Sequence, residues 1–171
     1  MTEDYETASG DSSNTGEEIT ELVRGFPLTI LGRRVVVLMP HLIRELREMV
    51  GFHILFLVGK RCGERWAEDI RRSTGLENLE LLEFYVYLGK TLGWGMPELV
   101  KVDVNEAKGV IRLYESFEAQ ETRSDSPVCH FLRGQYAGAL SVIFGRKILV
   151  VETKCEAQGA TYCEFQFKPH P

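Results

Sequence analysis

The sequence predicts a mixed α/β (α+β) domain, on three observations. Two pairs of short apolar segments, 99–104 with 109–117 and 147–153 with 160–167, are each joined by a polar turn and read as hairpins. Three other stretches repeat apolar residues every three or four positions, as helices do. With 171 residues and 44% hydrophobic content, the chain is long enough to bury a real core as one globular domain.

The opening MTEDYETASGDSSNTGEE is rich in acidic and small polar residues and poor in aliphatic ones, so residues 1–18 are expected to be a disordered acidic tail. Residues 19–171 are expected to form the single domain. PLTILGRRVVVLM reads as a short hairpin turning at Gly32 and Arg33. Pro40 begins a short helix that ends near Gly51, and a longer helix follows, with Phe52, Phe56, Gly59, Gly63, Trp66 and Ile70 on one face. That face is aromatic at its ends and bare in the middle. Close packing against another helix is the favoured explanation, and a gap left for a ligand is the sharper one. Cys62, beside Gly63, reads as a small core residue.

After a turn at 73–75, NLELLEFYVYLGKTLGW is helical, with Leu81, Tyr85, Leu88 and Leu92 on a stripe flanked by Phe84 and Tyr87. Buried tyrosines need partners for their hydroxyls. Gly93-Trp94-Gly95 resembles the start of a dinucleotide fingerprint, but Met96-Pro97-Glu98 follows where a third glycine and a helix are required. In the first of the two long hairpins, Val100, Val102 and Val104 share a face opposite Lys101 and Asp103, so one side is expected in water. EAQETRSDS is a loop. The last helix begins after Pro127, carries Cys129 in its first turn, and runs to about Phe144 with Leu132, Tyr136, Leu140 and Ile143 on its apolar stripe. Gly134 and Gly138 leave that helix bare one turn apart, at a cost of about 0.5–1 kcal/mol each relative to alanine. Again close packing is the default, and a pocket lined by Tyr136 and the aromatics of the central helices is the functional alternative.

Cys129, Glu152, Cys155 and Cys163 carry most of the chemistry. Zinc prefers thiolate and imidazole and accepts a carboxylate, so three thiolates and Glu152 complete a closed tetrahedral shell. The bland alternative is a set of unconnected buried cysteines. A Cys155–Cys163 disulfide is a further one, disfavoured in a reducing compartment. His130 and His170 compete with Glu152 as ligands, but His130 follows Cys129 on a helix and points the wrong way, and His170 lies in the tail.

The order of proline-cysteine helix start, glycine-punctuated helix, strand ending in glutamate and cysteine-flanked hairpin resembles the 4-vinyl-reductase domain family, specifically across 127–167 and more loosely from 42 to 117. Sensory domains of phenol-responsive transcriptional activators are similar. The resemblance implies zinc ligands at Cys129, Glu152, Cys155 and Cys163, one structural zinc per chain, and an antiparallel sheet covered by helices like that of Golgi tethering complex subunits. It also implies a homodimer and an internal apolar pocket.

The function expected is binding of an apolar or aromatic small molecule by a stand-alone sensor or carrier that passes its signal to a separate partner. The candidate pocket residues are Trp66, Phe84, Tyr85 and Tyr136, whose polar tips would orient a ligand otherwise held by burial of its surface. No phosphate-binding loop, HExxH, nucleophile elbow or redox-cofactor motif is visible, so no enzyme is expected. The net charge of -5 argues against nucleic acid, and no apolar run reaches the length of a membrane span, which leads to the expectation of a cytoplasmic protein. Two alternatives remain: an assembly subunit whose glycine faces make protein contacts, and an open zinc enzyme with a water in place of Glu152.

Overall fold

A computed structural model describes residues 29–36 and 38–171. The expected acidic tail and the domain start at residue 19 lie outside the described residues. The chain divides into two units between Val36 and Val37. In the first, β1 (Thr29–Ile30) pairs antiparallel with β2 (Arg33–Arg34). The turn is one residue earlier than expected. Leu31 and Gly32 occupy it, at φ 51° and 73°, and two consecutive positive φ values match the twist of the flanking strands in a tight hairpin.

The second unit runs α1 (Pro40–Thr74), α2 (Asn78–Thr91), β3 (Met96–Asp103), β4 (Lys108–Tyr114), α3 (His130–Ile143), β5 (Ile148–Lys154) and β6 (Cys163–Pro169). Pro40 starts α1, and Gly51 breaks it with φ 77° and ψ 163°, values far from helical, so the short and long helices expected from the sequence are two arms of one kinked element. Gly75 in the left-handed region closes the second arm.

The four long strands form one antiparallel sheet in the order β3-β4-β6-β5. Alternation places Ile111, Leu113, Cys163, Phe165, Phe167, Ile148, Val150 and Glu152 in the buried layer. The other face is polar, held by Arg112, whose guanidinium donates to Glu164 at 3.2 Å and lies over the Tyr162 ring. In β3 the expected valine face is interrupted: the register shifts between Leu99 and Lys101, which turns Val100 out to 40% exposure.

The helical glycines are used within the chain. A Cβ on Gly59 or Gly63 would strike the carbonyl oxygens of Phe131 and Gln135, and one on Gly134 or Gly138 would strike those of Phe56 and Lys60. The second arm of α1 and α3 therefore cross with their backbones in contact, and close packing is the explanation that holds. No gap remains at these four positions for a ligand, and they offer no face to an outside partner. Cys62 is exposed, not a core residue, because it lies one step round the helix from that seam. Among the described residues no helix is long and apolar enough to cross a membrane.

Candidate metal centre and functional site

Cys129 is the N-cap residue of α3, Glu152 lies on β5, Cys155 precedes a single 3-10 turn at Glu156–Gln158, and Cys163 opens β6. A register shift between Glu152 and Lys154 bulges β5 just where the chain turns from sheet to cluster. The four donor atoms all lie within 4.8 Å of one another and all four residues are buried. The sulfurs are 3.5, 3.9 and 4.0 Å apart. Metal–sulfur bonds of about 2.3 Å give a tetrahedral edge of about 3.8 Å, whereas a disulfide needs about 2.05 Å. The thiols are free, and the cluster could bind a metal ion.

Its donor set fits such an ion. Glu152 Oε2 accepts the Cys129 backbone N–H at 3.1 Å, while Oε1 is buried with no partner among the described residues. Burial and the neighbouring Cys155 push the Glu152 carboxyl up to about 9. Hydrogen bonding to Cys155 and burial raise the Cys129 thiol, whereas Cys155, which receives hydrogen bonds from Cys129 and Cys163, is lowered. Without a cation the pocket thus retains protons, and a divalent ion would displace them.

Three supporting residues escaped sequence reasoning. The Ser116 hydroxyl, fully buried, sits 3.3 Å from Cys129 Sγ. Glu156 donates its N–H to Cys163 Sγ at 3.4 Å, and its carboxylate accepts the N–H groups of Glu115 at 2.7 Å and Ser116 at 2.9 Å. Glu118 accepts the N–H groups of Phe131 at 3.0 Å and Leu132 at 2.7 Å, satisfying the first turn of α3. Burial pushes this carboxyl up to about 7 against those two bonds. All three lie in segments that read as polar loops, where only a carboxylate upstream of a helix start hints at a capping partner. The His130 ring lies tilted at 5.3 Å from the Phe52 ring, and His170 is exposed.

The candidate pocket residues lie on three helices. Tyr85 of α2 is fully buried and its hydroxyl donates to Gln135 Oε1 at 2.8 Å. Tyr136 of α3 is buried against Phe165, with ring centroids 5.1 Å apart, and lies within electrostatic reach of Tyr85. Phe84 is half-buried, as is Trp66, whose Nε1 is buried without a partner among the described residues. These four side chains do not line the three clefts found around the 115–130 segment.

A helix-covered antiparallel sheet whose last hairpin and last helix start enclose a Cys3Glu cluster defines a class of small α+β domain. Residues 110–169, which hold all four cluster residues, match the 4-vinyl-reductase domain, and the chain belongs to that family. An uncharacterized protein of Methanocaldococcus jannaschii is 34% identical over 116 residues, 67% of this chain and 63% of that protein, less than two thirds of its length. The phenol regulator MopR of Acinetobacter guillouiae is 28% identical over 140 residues, 74% of this chain but 25% of MopR. Among solved structures, the phenol-responsive sensory domain of the transcription activator PoxR superposes with a TM-score of 0.70 at 23% identity, over 93% of this chain and 92% of that one. A trafficking protein particle complex subunit 3 from Naegleria fowleri superposes with a TM-score of 0.54 at 12% identity, over 92% of each. The expected sheet-and-helix architecture and its likeness to tethering subunits are thereby borne out.

Proposed function

We propose that this chain is a small-molecule-binding sensor or carrier domain, not an enzyme, with one structural zinc held by Cys129, Glu152, Cys155 and Cys163. The buried indole nitrogen of Trp66 carries the ligand reading: a donor shut away from water costs free energy until an acceptor reaches it. A phenolic or carbonyl oxygen would supply that acceptor, with Phe84, Tyr85 and Tyr136 surrounding the ring. MopR and the PoxR sensory domain, similar to this chain, are a phenol regulator and a phenol-responsive domain by name. The Tyr85–Gln135 hydrogen bond closes the interior in the present state, and α2 contacts α1 and α3 far less than these contact each other, so entry would part α2 from the pair.

Zinc is favoured over harder ions by three thiolates. Four protein donors leave no place for a reactive water, which makes the ion structural. A homodimer is supported by the outward stripe of Ile54, Leu57 and Val58 on α1, each more than 40% exposed. The signal would pass to a separate partner, in the cytoplasm. Native mass spectrometry of the purified chain with and without phenol, beside thermal melts, tests this reading. One zinc per chain and a phenol-dependent rise in melting temperature that Trp66→Phe removes are expected. Absence of zinc, or a melt indifferent to phenol and to other uncharged aromatic compounds, would overturn the respective half.

A further inference from the structure

Two clefts meet at Arg47. One, of about 360 Å³, lies between the α1 kink and the 122–130 segment. The other, of about 250 Å³, lies between the first turns of α1 and residues 117–122. Arg47 lines both and is half-buried, yet its guanidinium makes no hydrogen bond or ion pair with a described residue. Its charge is felt by Glu118 and His130, but both Glu118 oxygens are already occupied by backbone N–H groups of α3. His130 Nδ1 is buried and also lacks a partner among the described residues.

The larger cleft adds Arg123 and the Thr122 and Ser124 hydroxyls, and the Phe52 ring forms an apolar wall beside the imidazole. Among the described residues, Glu48 is the one acidic side chain lining it. In a chain of net charge -5, a cleft with two guanidinium groups and one carboxylate is not background. A guanidinium partly withdrawn from water without a counter-charge is costly, and its planar fork matches a carboxylate with two parallel hydrogen bonds.

We propose that this cleft binds a small aromatic carboxylate, with Arg47 and Arg123 on the carboxylate, His130 Nδ1 within its hydrogen-bonding shell, and the ring against Phe52. The site is separate from the Trp66 interior and takes a charged ligand where that interior takes an uncharged one.

Calorimetric titration of the purified full chain with benzoate, and with benzyl alcohol as the neutral ring of similar size, tests it. Benzoate is expected to bind at least about tenfold more tightly than benzyl alcohol, and Arg47→Gln or Arg123→Gln to weaken benzoate by about tenfold or more with melting unchanged, since a hydrogen-bonded charge contributes about 1.5–3 kcal/mol. Benzoate should also shift the His130 imidazole resonances of the unsubstituted protein, a readout that survives if Arg47→Gln does not fold. Benzoate that fails to bind at millimolar concentration, binds no better than benzyl alcohol, leaves His130 unmoved, or binds Arg47→Gln as well as wild type overturns the proposal. Phenol-dependent stabilisation that persists in Arg47→Gln would mark the two sites as independent.

Discussion

The backbone N–H of Cys129 donates to Glu152 Oε2, and the other oxygen of that carboxylate is left buried with no partner among the described residues. One side chain thus ties the α3 start to β5 and presents its second oxygen to the three sulfurs. Replacing Cys163 with serine should lower unfolding free energy by at least about 3 kcal/mol, because metal-binding free energy in such sites is folding free energy. Chelator should destabilise the wild type and leave Cys163→Ser nearly unaffected. Denaturant melts of both proteins with and without chelator check this, and equal chelator sensitivity would contradict it.

The backbone contact between α1 and α3 makes a second prediction. Gly134→Ala gains up to about 1 kcal/mol of helix propensity, but its methyl meets the Phe56 carbonyl and the Lys60 backbone nitrogen, the latter at 2.8 Å. Backbone cannot swing aside as a side chain does, and overpacking of this kind costs about 1–3 kcal/mol or more. Net destabilisation is expected by chemical denaturation. A neutral or stabilising Gly134→Ala would show that the helices do not touch.

Glu118 predicts a pH dependence. Its carboxyl binds a proton more tightly folded, near 7, than at its ordinary value of 4.5. The folded state therefore takes up this proton first as pH falls, so the group's contribution to stability grows from pH 7 down to 4.5 and is lost as pH rises through that window. Relative to Glu118→Gln, the wild type should gain at most roughly 3 kcal/mol between pH 8 and pH 4.5. Paired denaturation curves measure the difference, in which proton competition at the cysteine cluster cancels. A difference independent of pH would show Glu118 to be ionised as freely as in water.

The outward stripe of α1 sets the fourth. Leu57→Asp places a charge at the centre of Ile54, Leu57 and Val58, and if a second copy covers this face the protein should become monomeric with its monomer melt little changed. Light scattering after size exclusion reads the mass. A wild type that is already monomeric at high micromolar concentration would exclude the dimer.

Much of this arrangement is legible from residue order. Period-two apolar patterns locate β4, β5 and β6, and Pro40, Gly51 and Pro127 mark helix boundaries, since each acts through local backbone geometry. The cluster is legible because its four residues share one short segment and one chemistry. What escapes is whatever depends on tertiary approach. The use of Gly59, Gly63, Gly134 and Gly138 against one another requires knowing which helices cross. The outward turn of Val100 requires the register slip that bulges it. Glu118 looks like one acid among several in EAQETRSDS until α3 is placed above it. Trp66 and Tyr85 read as pocket candidates by composition, but the Tyr85–Gln135 bond that joins α2 to α3 does not follow from either helix alone.

The glycine crossing also governs the order of assembly during synthesis. The second arm of α1 emerges from the ribosome well before its partner, because α2 and the whole β3–β4 hairpin are made before α3. At about 5–20 residues per second the bare glycine groove and the neighbouring apolar stripe wait several seconds uncovered. The cysteine cluster, by contrast, spans only the segment that begins with α3 and completes near the chain end. Metal capture and the helix crossing therefore fall together at the last moment of synthesis, and a shortage of metal would leave the nascent chain open to association through α1.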